Sequence, residues 1–358
     1  MTARTLLRPT GFVDSPFGHD GKVARLAGGL NWFAAVELIH VGERVETELV
    51  AVEGIEDRFN DAMAAQWSAL TRAHPPLQLG QRTIRLDQPQ VMAILNATPD
   101  SFSDGGRFGS AEQAAQAGFD AAQAGAAIVD VGGESTRPGA AIVWEGDEIA
   151  RVEPVIRALA AGGVAVSADT RKAAVMERAI AAGVRLINDV SALTWDDRSA
   201  ELVARSGLPV VLMHYQGQPD TMQHNPSYPR GALVETYLWL EERIAAAERA
   251  GIARDRILVD PGIGFGKTVA HNLQLMNGLA LFHGLGCPLV LGASRKRTIG
   301  ALHNEAPASQ RLGGSLTLAV KAAEQGAQII RVHDVYETVQ ALKVWRGLRD
   351  QALTPPSC

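Results

Sequence analysis

Cysteine is scarce in this chain of 358 residues, with Cys287 and Cys358 the only two. Two thiols make neither a disulfide framework nor a metal knuckle, which fits a reducing cytoplasm. No uninterrupted apolar run reaches the roughly 18 residues that a membrane-crossing helix needs. The N-terminal MTARTLLRPTGFVD breaks at Pro9 and Gly11 before an apolar core develops, so it makes a poor secretion signal. A surplus of positive charge is missing as well. The formal net charge of -5 argues against a general nucleic-acid binder, and any anionic ligand has to be met by a local basic cluster. Three catalytic signatures are absent. There is no Gly-x-Ser-x-Gly elbow, and no His-x-His or His-Glu-x-x-His pair that would hold zinc. DPGIGFGKT from Asp260 is not a Walker loop, because Pro261 stands where that pattern needs a glycine.

What the sequence does have is periodicity. VMAILNATPDSFSDGG, from Val91 to Gly106, passes from an apolar run into a dense polar segment, as a buried strand does when it delivers functional groups to a surface. Seven further apolar runs follow: AAIVDVG from Ala126, VAVSADT from Val164, LINDV from Leu186, PVVLMHY from Pro209, RILVDPG from Arg256, PLVLGAS from Pro288 and AQIIRVHD from Ala327. Ala-rich amphipathic stretches separate them, several ending in the helix-stop residue Gly. Eight βα units predict an α/β fold, a (β/α)8 TIM barrel, over residues 76–358 with a short hairpin, LQLGQRTIRL, at its start. An open doubly wound sheet is the alternative. Residues 1–75 read as a small α+β extension of no assigned role, ending at Pro75 and Pro76.

Every run ends in polar residues, and a barrel would gather them at one mouth. Asp169, Asn188 and Asp260 form a set of acceptors suited to a flat heterocycle with a guanidine-like edge. Either aspartate equally suits a helix N-cap. Arg137, Lys296, Arg297, Arg331 and His333 make a basic cluster suited to phosphate or diphosphate, although Arg297 also reads as a solvated helix residue. GGESTRPGA from Gly132 has the composition of a mobile closing loop. The glycines around Phe265 let the backbone turn and present that ring. The chemistry is one of positioning and charge stabilisation.

LNATPDSFSDGG, DVGGESTRPGA, SADTRK, INDVSA, LMHYQGQPDTMQ, LVDPGIGFGK, GASRKR and RVHDV together resemble the dihydropteroate synthases of the folate pathway, in order and spacing, over some three quarters of the chain. The resemblance implies a cytoplasmic, homodimeric (β/α)8 transferase. It joins 6-hydroxymethyl-7,8-dihydropterin diphosphate to p-aminobenzoate, releasing diphosphate. It implies that Asp169, Asn188, Asp260 and Lys296 hold the pterin, with Met213 beside the ring. Asn96 would ligate Mg²⁺ at the diphosphate, whose oxygens meet Arg331 and His333. Phe102 and Asp104 lie on one closing loop, and Thr136, Arg137 and Pro138 on another. Asp104 would stabilise the cation or the arriving amine, and Arg137 the leaving group. Phe265, Lys296, Thr136 and Pro138 would shape the p-aminobenzoate pocket, where sulfonamides compete.

The sequence departs from the family pattern at Ala97, Ala168 and Tyr215; Tyr215 adds bulk and a hydroxyl near the mouth. The competing readings are a pterin-dependent methyltransferase of similar barrel and a non-catalytic pterin-binding paralogue. No nucleic acid or membrane partner is expected.

Overall fold

The computed structural model describes residues 4–97, 111–135, 142–217 and 222–354. Its N-terminal part is a small antiparallel sheet. β1 (Arg4–Val13), β2 (Ala24–Arg25) and β4 (Val45–Ala51) all pair with β3 (Trp32–Val41). Strand alternation sorts the apolar side chains into two sets. Leu7, Val36 and Leu38 pack with Met63 and Leu70 of helix α1 (Asp61–Thr71), whereas Leu6, Ile39 and Val41 join the large core shared with the barrel helices. Asn60 caps α1, accepting the Met63 N–H at 3.0 Å, a contact of about 1 kcal/mol. Both faces of β1 and β3 are therefore covered, whereas β4 is largely exposed.

A two-stranded hairpin, β5 (Leu77–Leu79) and β6 (Arg82–Ile84), precedes the barrel. Eight parallel strands follow: β7 (Gln90–Asn96), β8 (Ile128–Gly132), β9 (Val166–Asp169), β10 (Leu186–Asp189), β11 (Val210–Met213), β12 (Ile257–Asp260), β13 (Val290–Leu291) and β14 (Ile329–Val332). They lie in the order β12-β11-β10-β9-β8-β7-β14-β13. A parallel bridge between Val259 and Leu289 joins the two edges, so the sheet closes and the open doubly wound alternative is excluded. Each predicted apolar run supplies one strand, and the fold is a (β/α)8 barrel.

The described helices around it are α2 (Ala111–Gln123), α3 (Glu145–Ala161), α4 (Ala173–Ala182), α5 (Ser199–Ser206), α6 (Ala232–Arg249), α7 (Val269–Asn277), α8 (Arg297–Leu302), α9 (Leu312–Glu324) and α10 (Val335–Ala352). Gly183 and Gly207 end α4 and α5 in the left-handed region, at φ 114° and 67°, a geometry that carries no steric cost for glycine.

Strand parity positions the site. One set of side chains, including Val91, Val129, Val166, Ile187, Val210, Val259 and Ile330, packs outward on the helices. The other set, Met92, Ile128, Ala165, Leu186, Val211, Leu258, Val290 and Ile329, fills the barrel with Leu77, Leu79, Ile84 and Leu86 of the hairpin segment against it. The hairpin thus plugs the N-terminal end. Two residues further along each strand, on the same inward parity, stand Ile94, Asp130, Ser167, Asn188, Met213, Asp260, Gly292 and Arg331. The barrel interior is apolar below and polar above.

The N-terminal part is fastened to the outside of the barrel. Arg4 donates two hydrogen bonds of 2.5 Å to Glu241 of α6. Asn31 donates to the Ala323 carbonyl of α9 at 2.7 Å, and Arg349 of α10 to the Leu30 carbonyl at 2.8 Å. Among the described residues no helix is long and apolar enough to cross a membrane.

Candidate active site

The polar upper layer is built around one guanidinium. Arg331 Nε donates to Asp130 Oδ2 at 2.6 Å, and Nη2 to Asp169 Oδ2 at 2.5 Å. Asn188 Nδ2 also donates to Asp130 Oδ2, at 2.8 Å. That bond orients the amide and leaves Asn188 Oδ1 as an acceptor. Asp260 stands across the mouth, its Oδ1 taking the Gly262 N–H at 2.7 Å. Asp130, Asp169, Asn188 and Asp260 are all buried. Asp130 Oδ1 and Asp169 Oδ1 are buried without a hydrogen-bond partner.

Three carboxylates thus share the layer with one half-buried arginine. Burial raises the Asp169 carboxyl to about 7; Arg331 opposes this, and the Asp130 charge reinforces it. Burial also raises Asp260, against the Gly262 N–H and the charges of Lys296 and Arg331. Arg331 is held above its ordinary value because the surrounding carboxylates outweigh its desolvation. A ligand edge carrying several N–H donors complements such a surplus of buried acceptors.

The loop after β12 supplies the opposite wall. Gly262 has φ 68°, and a Cβ there would stand 1.9 Å from the His214 carbonyl oxygen, so only glycine fits. Lys267, fully buried, donates to the Gly262 carbonyl at 2.9 Å, to the Phe265 carbonyl at 3.1 Å and to His214 Nδ1 at 2.8 Å. It cross-links the turn that presents Phe265. Burial presses its ammonium well below the usual range. Over the Phe265 ring sits Lys296 Nζ, 4.1 Å from the centroid, a cation–π contact.

Lys296 and Ser294 come from a strained turn. Arg295 between them lies in the left-handed region at φ 55°, unusual for a residue with a side chain. Its N–H bonds Ser315 Oγ at 2.9 Å, its carbonyl accepts Arg311 Nη1 at 2.9 Å, and its guanidinium pairs with Asp334. The adjacent strand end brings His333, whose Nδ1 lies 3.1 Å from Ser294 Oγ. Ser294 Oγ also accepts the His333 N–H at 3.2 Å; with the Ser294 proton turned to Nδ1, the neutral ring would carry its own proton on Nε2.

Burial and the neighbouring Arg295 and Arg331 push His333 down to about 3. At that value the ring is neutral near pH 7 and offers a hydrogen bond in place of a charge.

Of the expected site residues, Asp169, Asn188, Met213, Asp260 and Arg331 share the inward parity, and Asn96 ends β7 on that parity too. Phe265, Lys296 and His333 come from the loops above. Phe102, Asp104, Thr136, Arg137 and Pro138 lie outside the described residues. Arg297 is exposed at the first position of α8. Asp169 and Asp260 do not cap the helices that follow them: Lys172 and Thr268 occupy those N-cap positions.

Asp130 was not among the expected site residues, although it closes the second apolar run. Its signal was parity, since it lies two positions after the barrel-filling Ile128. The same rule separates decoys. Asp189, of opposite parity, accepts from Ser191 N, Ser191 Oγ and Leu193 N, within its own turn. His214 packs on Trp239 with ring centroids 4.9 Å apart. Tyr215 bonds Thr194 Oγ1 at 2.9 Å and meets the Trp239 ring edge-on, so its hydroxyl already has a partner.

The pattern of the pterin binding enzyme family matches residues 92–333. Dihydropteroate synthase of Escherichia coli (strain K12) is 49% identical over 263 residues, which span 73% of this chain and 92% of the relative. The Yersinia pestis dihydropteroate synthase, solved with a sulfonamide drug complex, superimposes with a TM-score of 0.74 at 48% identity, covering 77% of this chain and 99% of that one. The Xanthomonas albilineans dihydropteroate synthase with 4-aminobenzoic acid gives 0.73 at 44% identity, over 79% and 100%. Matches of this extent over the barrel and its polar mouth mean that the chain belongs to the dihydropteroate synthase family of pterin binding enzymes.

Proposed function

We propose that this chain is a dihydropteroate synthase that condenses 6-hydroxymethyl-7,8-dihydropterin diphosphate with p-aminobenzoate to give 7,8-dihydropteroate and diphosphate. The observation that carries the reading is the buried acceptor layer of Asp169, Asn188 and Asp260, joined in a chain of this family to cationic and neutral donors around Arg331.

In this reading Asp169 Oδ1, Asn188 Oδ1 and Asp260 accept the N–H donors of the pterin's guanidine-like edge, with Met213 against the ring. The layer fixes the reacting methylene by geometry. As the methylene–oxygen bond breaks, negative charge grows on the diphosphate. Arg331 Nη1, not used in the bonds to Asp130 and Asp169, neutral His333 through Nε2–H, and Arg137 meet that charge. Asp104 stabilises the positive charge left on the methylene or the arriving amine. The neutral amine of p-aminobenzoate then forms the carbon–nitrogen bond and gives its proton to the departing diphosphate, so no strong base is required. Phe265 and Lys296, with Phe102, Thr136 and Pro138 of the connections, shape the arylamine pocket, where a sulfonamide competes.

Among the described residues no group of three His, Cys, Asp or Glu side chains could hold a metal alone. Mg²⁺ is a hard cation that keeps several waters and takes its remaining ligands from substrate phosphates. The single amide oxygen of Asn96 fits an ion that arrives with the diphosphate, and that ion would neutralise the leaving group's charge. Homodimerisation and a cytoplasmic setting are further parts of the family reading.

The test is diphosphate release from the pterin diphosphate, with and without p-aminobenzoate and Mg²⁺. Release that depends on both supports the reading. No release under any condition overturns it in favour of a non-catalytic pterin binder, and methyl transfer from a methylated folate would identify the methyltransferase.

A further inference from the structure

Away from the mouth, a cavity of about 590 Å³ opens where the N-terminal part meets the barrel, a volume within the range of small-molecule sites. One wall is a face of α1 continued by the next residue. Ala62, Ala65, Ala69 and Arg72 recur there at helical spacing, and the three alanines leave open the space that longer side chains would fill. The other walls include Tyr237 and Glu241 of α6, Arg254 before β12, and Gly284 and Gly286 before β13.

Two groups in these walls are uncommitted. Tyr237 is only 1% exposed, yet among the described residues its hydroxyl has no hydrogen-bond partner. Its ring is held by Phe282, with centroids 6.4 Å apart, and by the Arg4 guanidinium, 5.9 Å from the centroid. The hydroxyl therefore has a fixed place beside Gly284, where a Cβ would stand 3.1 Å from it. A buried hydroxyl without a partner forfeits the hydrogen bonds it made in water, and a ligand acceptor restores one. The second group is Arg72, whose side chain makes no hydrogen bond or ion pair among the described residues.

The neighbouring arginines are already spent. Arg4 pairs with Glu241, and Arg254 with Glu248 at 2.8 Å and the Leu285 carbonyl at 2.8 Å. Against these two pairs, the charge left over is that of Arg72. A Cβ on Gly286 would stand 3.9 Å from both Arg72 Nη2 and Arg254 Nη1, so the two guanidiniums converge over that glycine. Gly284 and Gly286 are two residues apart, which brings the free hydroxyl and the free guanidinium to the same short segment.

We propose that this cavity is a second ligand site, which takes a small organic carboxylate: its charge is met by Arg72 and the Tyr237 hydroxyl, and its hydrocarbon body lies on the alanine face of α1. The planar fork of a guanidinium matches a carboxylate, and a single surplus charge suits a monoanion. Arg72 belongs to the N-terminal part and Tyr237 to the barrel, so the site exists only where the two are joined. The residues before the barrel thereby acquire a binding role separate from the mouth.

The experiment titrates the full chain with cyclohexanecarboxylate by ligand-observed NMR, and with cyclohexanecarboxamide as its uncharged counterpart. The wild type is compared with Arg72→Gln and Tyr237→Phe. Neither side chain group has a partner to lose, so each variant should unfold within about 2 °C of the wild type. The expected result is saturable binding of the carboxylate by the wild type, weaker by about tenfold or more in each variant and for the amide. No saturable binding by the wild type overturns the proposal, as does equal binding of the amide. Undiminished binding by either variant overturns it too, since the carboxylate would then sit elsewhere. Should Tyr237→Phe fail to fold, Arg72→Gln, at an exposed position, carries the test alone.

Discussion

Asp130→Asn isolates the charge that organises the mouth. The amide oxygen can take the place of Oδ2 and keep the bonds from Arg331 Nε and Asn188 Nδ2, 2.6 and 2.8 Å in the wild type, so the change removes charge more than contact. A hydrogen bond to a charged group contributes about 1.5–3 kcal/mol and a neutral one about 0.5–1.5. Two weakened bonds therefore cost about 2 kcal/mol, partly offset by the lost repulsion toward Asp169. A domain of 150–250 residues loses about 2–4 °C in Tm per kcal/mol, and a longer chain less, so a fall of a few degrees is expected.

The sharper consequence concerns pH. Asp169 is raised from 3.8 to about 7, and the Asp130 charge is one of the causes. Its ionised form is the better acceptor, so pterin affinity rises as pH rises through about 7 in the wild type. For folding the sign is opposite: a carboxyl raised in the folded state favours folding most below its unfolded value, and that advantage is lost as pH rises through about 7. With Asp130 neutral, the Asp169 carboxyl drops, and the binding transition moves to lower pH. Calorimetric titration of the pterin between about pH 5.5 and 8.5 reads the midpoint. A midpoint that stays in place or moves upward would refute the electrostatic account of the mouth.

Three other outcomes follow from the same geometry. Asp260→Asn removes a buried carboxylate of the mouth; if it accepts from the pterin as proposed, the pterin Kd should weaken by roughly 10–100-fold, the equivalent of one charged hydrogen bond, with little change in the circular dichroism spectrum. Gly262→Ala forces a Cβ to within 1.9 Å of the His214 carbonyl; a loss of more than about 3 kcal/mol in urea unfolding is expected from strain and displaced backbone. A sulfonamide should compete with p-aminobenzoate and leave pterin binding intact, which inhibition kinetics against each substrate would show.

The barrel was legible because its strands are short, apolar and evenly spaced, and no other fold closes eight such units so compactly. The mouth was legible in part. Asp169, Asn188, Asp260 and Arg331 could be read as strand ends, but nothing in residue type alone distinguished them from Asp189 and His214. Parity does: counting by twos from Leu186 reaches Asn188 and skips Asp189, and from Val211 it reaches Met213 and skips His214. The same count from Ile128 reaches Asp130.

Lys267 and Lys172 were not legible in this way, since their partners are main-chain carbonyls, carboxylates and, for Lys267, the His214 ring, all brought close only by folding. Strand β3 illustrates the limit from the other side. WFAAVELI shows apolar residues on both parities, and only the packed molecule reveals that one face serves α1 and the other the barrel helices.

The charge count at the mouth explains why this end of the barrel differs from the plugged one. At the hairpin end, apolar side chains meet apolar side chains, and burial alone stabilises the contact. At the mouth, Asp130, Asp169 and Asp260 are buried with one arginine between them, and two carboxylate oxygens stand without a hydrogen bond. Each unsatisfied buried acceptor costs about 1–3 kcal/mol, and the raised Asp169 carboxyl shows the same cost as a proton affinity. A passive core would not retain such an arrangement. A ligand that donates to those oxygens recovers part of the cost, so binding energy stored in the fold is released only when the correct edge arrives. It follows that, on the proposed reading, a pterin should raise Tm by more than p-aminobenzoate does at equal free concentration, because donation to the buried layer makes it the tighter ligand of the folded chain. Equal stabilisation by the two ligands would place the stored energy elsewhere.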